Sequence, residues 1–137
     1  MAATKSAQKR VLVVDDDRGL NLVLVEMLRE TGLDAAGVAD GMSALRRLEK
    51  QKFHLVLLDV GLPKLNGLEV LKRIRGLKSP PLVIVMTADD TPSTVLHAVK
   101  DQAYRYISKP APPKDIVDIA NEVLAAKYQA LPIEVVS

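Results

Sequence analysis

With 137 residues, 48% of them apolar and 26% charged, the chain suits a single domain with a proper core, which excludes a disordered polymer and a multidomain enzyme. The 19 basic and 17 acidic side chains leave a scattered net charge of +2, so neither direct nucleic-acid binding nor an anionic membrane surface is expected. The absence of cysteine excludes disulfides, thiolate zinc sites and cysteine nucleophiles, and only His54 and His97 could serve a histidine-rich centre. Apolar runs of about five residues fall far short of the ~20 of a membrane span, and MAATKSAQKR lacks a signal-peptide core, so a soluble, cytoplasmic protein is expected.

In chain order, residues 1–8 read as a disordered tail and residues 9–128 as the domain. The first strand is predicted over Val11 to Val14, followed by a helix whose stripe is Leu20, Val23, Leu24, Met27 and Leu28. Leu33 to Val38 reads as a second strand between Gly32 and the turn Asp40-Gly41, with a helix over Met42 to Lys50. Leu55 to Leu58 and Leu82 to Met86 are unbroken apolar runs, as in strands buried on both faces, separated by a helix over Gly67 to Arg75. A helix over Thr94 to Lys100, a weaker strand over Tyr104 to Ser108 and a helix striped by Ile116, Ile119, Ala120, Val123 and Leu124 complete five β-α units. Helix-length crossovers between strands imply a parallel sheet covered on both faces. Pro110 to Pro113 forms a stiff lead-in to the last helix, and residues 129–137 read as a tail or the start of a linker to a further domain.

Ligands of open parallel sheets bind beyond the carboxyl ends of the strands. Here Asp15, Asp16 and Asp17 follow the first strand, Asp59 ends the third, Thr87 the fourth, and Lys109 follows the fifth. Clustered carboxylates repel unless a cation or proton neutralises them, and magnesium suits a few carboxylate oxygens plus a phosphate. One carboxylate could act as a nucleophile towards phosphorus, with a threonine hydroxyl and a lysine ammonium on the phosphoryl oxygens.

The strings Val13-Val14-Asp15-Asp16-Asp17, Leu57-Leu58-Asp59-Val60-Gly61-Leu62-Pro63, Leu65-Asn66-Gly67-Leu68-Glu69, Met86-Thr87-Ala88 and Ser108-Lys109-Pro110 resemble the receiver domain of two-component response regulators, in register from about residue 10 to 127. The resemblance implies a flavodoxin-like (βα)5 doubly wound sheet of strand order 2-1-3-4-5. It also implies Mg²⁺ on Asp15, Asp16, Asp59 and the backbone carbonyl of Gly61. Asp59 would be the phosphoacceptor, Thr87 and Lys109 the phosphoryl-binding groups, and Thr87 and Tyr106 the switch pair. The phosphodonor would be a histidine kinase or phosphotransfer protein. The surface of the fourth helix, fifth strand and fifth helix would serve partner docking or a homodimer. A cis Lys109-Pro110 bond is implied as well. Departures are Asn66 for the commoner aspartate and Gln102 where a glycine commonly ends the fourth helix, which removes an easy left-handed cap. Asp89 and Gly61 stand where side chains tune water access.

Plainer roles exist for several of these residues. Asp17 is the expected N-cap of the first helix, His54 a packed or edge imidazole in the third strand rather than a ligand, and His97 a surface residue. Two other functions remain open on the residues alone. A flavodoxin-like small-molecule binder would want a Ser/Thr/Gly phosphate cradle where three aspartates stand. A degenerate receiver acting without phosphorylation would not need every site position filled.

Overall fold

The computed structural model describes residues 8–62, 65–88 and 91–127. Strands β1 (Arg10–Val14), β2 (Asp34–Val38), β3 (Leu55–Asp59), β4 (Leu82–Thr87) and β5 (Arg105–Ser108) form one sheet in the order β2-β1-β3-β4-β5, every neighbouring pair parallel. Helices α1 (Arg18–Glu30), α2 (Gly41–Lys50), α3 (Gly67–Arg75), α4 (Pro92–Lys100) and α5 (Pro113–Lys127) supply the crossovers and the final cover. This is the flavodoxin-like doubly wound architecture expected from the sequence.

The strand runs lack polar alternation because both faces of the sheet are covered. Val11, Val13, Leu55, Leu57, Ile84 and Met86 pack on Leu24 and Leu28 of α1 and on Ile116, Ala120 and Leu124 of α5. Leu12, Val14, Val56, Leu58, Val83 and Val85 turn the other way, onto Ala44 of α2, Val70, Leu71 and Ile74 of α3, and Ala98 of α4. Each of these buried aliphatic side chains contributes about 1.5–3 kcal/mol of transfer free energy. Local chemistry fixes where the helices begin. Asp17, Asp40, Asn66 and Thr91 cap α1 to α4, each side chain accepting an amide of the first turn, and such caps contribute about 1 kcal/mol.

Several boundaries move from the sequence expectation for identifiable reasons. β2 begins at Asp34 because Leu33 donates its amide to Leu28 O at 3.3 Å and, with Gly32 at φ +94°, closes the end of α1. α4 begins at Pro92, whose missing N–H is harmless in a first turn capped by Thr91. Gln102 does not forfeit the left-handed cap: it adopts φ +65°, and Ala103 N donates to Ala98 O at 2.9 Å, the same closure as at Gly32. His54 lies one residue before β3 rather than in it, its Nδ1 accepting the Arg10 amide at 2.9 Å. Lys109-Pro110 is cis. Of the expected tails only Gln8 is described, its side-chain amide donating to Gly32 O at 3.0 Å; the remainder of 1–8 and all of 129–137 lie outside the described residues, as do Pro63 and Asp89.

Candidate functional site

The order β2-β1-β3 sets the carboxyl ends of β1 and β3 side by side, with Val14 opposite Leu58, so the residues that follow meet across one crevice. Asp15, Asp16 and Asp59 each bring a carboxylate oxygen within 4.8 Å of the others. Asp15 and Asp59 are buried and Asp16 is exposed. Lys109, reaching in from beyond β5, donates to Asp15 Oδ2 at 2.7 Å and to Asp59 Oδ2 at 3.2 Å. The second oxygens are held by backbone amides: Asp17 N donates to Asp15 Oδ1 and Gly61 N to Asp59 Oδ1, both at 2.9 Å.

Burial pushes the Asp15 carboxyl above its usual range, outweighing the Lys109 ammonium and the Asp17 amide that favour its charged form. Burial would lower the Lys109 ammonium, but its contacts with Asp15 and Asp59 outweigh this and raise it. The crevice is therefore a partly buried acidic pocket neutralised from one side. Its donor set of carboxylate oxygens at close spacing fits a hard divalent cation.

Thr87 is 1% exposed and ends β4, its carbonyl accepting the Lys109 amide at 2.8 Å. Tyr106 is set back from the strand ends, paired with Val85, and packs half-buried on the layer of α2, α3 and α4. The structure thus gathers Asp15, Asp16, Asp59 and Lys109 directly, sets Thr87 on the adjoining strand end, and leaves Tyr106 one step behind. Asp17 does cap α1, accepting from Leu20 N at 3.1 Å.

Two residues not singled out from the sequence support this geometry. A Cβ on Gly67 would overlap Val60 Cα and stand 2.6 Å from Asp59 O, so the N-terminus of α3 rests on the backbone of Asp59 itself. Asn21 holds the β1–α1 loop through Asp15 O and Val38 O. Its sequence signal was a polar residue three and four positions before buried Leu24 and Val25, on the helix stripe that faces the sheet.

The chain is thus a doubly wound α/β domain with an acidic, lysine-bridged crevice at the ends of β1 and β3. The response regulator receiver domain model matches residues 11–121, and the chain belongs to that family. It is 39% identical over 110 residues to the DNA-binding response regulator MtrA of Mycolicibacterium paratuberculosis, covering 80% of this chain and 48% of that protein. It is 31% identical over 116 residues to the chemotaxis protein CheY of Thermotoga maritima, covering 84% and 97%. The CheY-like receiver domain protein of Methanospirillum hungatei superposes with a TM-score of 0.84 at 27% identity, covering 89% of this chain and 98% of that one. The chain spans about half the length of MtrA. No helix among the described residues is long and apolar enough to cross a membrane.

Proposed function

We propose that this receiver domain is a phosphorylation-dependent switch whose phosphoacceptor is Asp59. The observation that carries the reading is Lys109 Nζ bridging Asp15 and Asp59 in a crevice where Asp16 adds a third carboxylate. In the proposed step a carboxylate oxygen of Asp59 attacks the phosphorus of a phosphohistidine on a histidine kinase or phosphotransfer protein. The P–N bond breaks, an acyl phosphate forms on Asp59, and the leaving imidazole takes up a proton. Bound by Asp15, Asp16, Asp59 and the Gly61 carbonyl, Mg²⁺ would neutralise charge on the phosphoryl oxygens. Lys109 gives up part of its hold on the carboxylates to donate to a phosphoryl oxygen, and Thr87 donates its hydroxyl to another. The domain thereby promotes its own phosphorylation and dephosphorylation, and its product is a signal.

The added charge of about −2 draws Thr87 inwards, and Tyr106 moves into the space behind it. That motion alters the α4-β5-α5 face. Leu96 and Val99 of α4 are 58% and 65% exposed, apolar side chains suited to a downstream partner or a second copy on that face. This domain makes no direct nucleic-acid contact in the reading and works in the cytoplasm, in keeping with a chain free of cysteine. The test is incubation with acetyl phosphate and Mg²⁺, which should add one phosphoryl group labile to hydroxylamine by intact-mass spectrometry. Asp59→Asn should abolish the adduct, and its persistence in that variant would refute the assignment. Thr87→Ala should still be phosphorylated but lose the NMR shifts that a beryllofluoride mimic induces between Tyr104 and Lys114.

A further inference from the structure

Asp15 is fixed at every polar atom. Its amide donates to Val38 O at 3.2 Å, its carboxylate oxygens receive Asp17 N and Lys109 Nζ, and its carbonyl accepts Asn21 Nδ2 at 2.9 Å. The same Asn21 nitrogen also donates to Val38 O at 2.9 Å. One carboxamide, on the first turns of α1, thus clasps the end of β1 to the end of edge strand β2. The carbonyl it holds belongs to the peptide joining Asp15 to Asp16, so the plane of that peptide, and with it the direction in which Asp16 leaves, is set by Asn21.

The carboxamide fits only because β2 carries a glycine opposite it. A Cβ on Gly37 would overlap Asn21 Oδ1 and lie 3.0 Å from its Cγ and 3.2 Å from Val25 Cγ2. Gly37 itself has an ordinary strand conformation, so close approach rather than backbone freedom is what requires glycine there. We infer that Asn21 is a positioning residue for the acidic crevice, orienting Asp15 and Asp16 towards a divalent cation, and that Gly37 is the gap that admits it. The inference rests on the reading that these aspartates hold Mg²⁺. Groups behind a metal's direct ligands commonly alter affinity by about 10- to 100-fold, because they fix ligand direction before the ion arrives.

The test is a double-mutant cycle of Asn21→Ala, Gly37→Ala and the pair, read by NMR titration of the Asp15 and Asp16 amides with Mg²⁺ and by Asp15 amide exchange in EDTA. Asn21→Ala should raise the Mg²⁺ midpoint by about 10-fold and speed Asp15 exchange by a similar factor. Gly37→Ala should do the same by displacing the carboxamide. The pair should be little worse than Asn21→Ala, since the added methyl then meets only the Val25 side chain, at 3.2 Å from Cγ2. Asn21→Asp, which keeps the shape and loses both donors, serves where alanine fails to fold. A midpoint within about twofold of the parent, or losses that simply add in the pair, would overturn the inference; a lowered melting temperature with an unmoved midpoint would reduce Asn21 to a structural role. If the parent itself gives no Mg²⁺ response, the metal reading fails separately, and unchanged Asp15 exchange in Asn21→Ala would then overturn the clasp as well.

Discussion

Replacing Lys109 with methionine keeps most of the side-chain volume and removes the only charge that, among the described residues, bridges the crevice. The ammonium lies 2.7 Å from Asp15 and 3.2 Å from Asp59, contacts whose gross attraction is roughly 5–6 kcal/mol each at an effective dielectric near 20. Desolvation of the three groups cancels most of that, so the relevant cost is that of stranding buried carboxylates, about 3–5 kcal/mol when burial is complete. The Lys109 side chain is 16% exposed and that of Asp59 10%, so water and counter-ions reach part of the crevice and the lower figure of about 2–3 kcal/mol is expected. For a domain of this size that is a fall of roughly 8–12 °C in melting temperature in EDTA. Millimolar Mg²⁺ should recover a larger share of stability in Lys109→Met than it adds to the parent, because a cation then replaces the missing charge. Circular dichroism melts with and without Mg²⁺ read both quantities. A variant as stable as the parent in EDTA, or one that gains no more from Mg²⁺ than the parent does, would refute the argument.

Gly67→Ala should cost about 3 kcal/mol, because the new methyl meets backbone at Val60 and Asp59 that cannot step aside; chemical denaturation measures the loss, and acetyl phosphate labelling should fall with it. His54 is held below its usual pKa by burial and then by the charges of Lys9, Lys52 and Arg10, while only its neutral ring can accept the Arg10 amide at Nδ1. The unfolded chain therefore binds the proton more readily. Stability should be full above about pH 6.5, decline as pH falls from there, and level off below the folded-state pKa, whereas His54→Asn should flatten that decline in urea titrations at several pH values. Gln102→Gly should gain about 0.5 kcal/mol by relieving a left-handed residue at φ +65°, against loss of an exposed 2.8 Å bond from Arg75; a fall in melting temperature instead would mean that the Arg75 bond prevails.

The fold was legible because its signals are local. Unbroken runs such as Leu55–Leu58 mark strands covered on both faces, and the cap Asp17 marks where the first helix starts. The candidate site was legible for a related reason: a parallel sheet delivers whatever follows each strand to one edge, so Asp15, Asp59, Thr87 and Lys109 could be listed together before any distance was known. What escaped depends on pairs distant in sequence. Asn21 has no meaning without Gly37 across the α1–β2 contact, and Gly67 read only as the start of a helix until its approach to Asp59 was visible. Gln102 escaped because its backbone is imposed by the closure from Ala103 to Ala98, against the preference of its own side chain.

The reach of Lys109 also bears on how the protein is made. Its ammonium meets carboxylates 94 and 50 residues earlier in the chain. During synthesis the N-terminal strands emerge first, so β1 and β3 can pair while their acidic ends face one another without a counter-charge. Their repulsion opposes closing that end of the sheet until the last strand, at the edge, has docked and brought its lysine across. A half-made chain thus carries the aspartates of the crevice without the group that balances them, and completion of the sheet and readiness of the site arrive as one event.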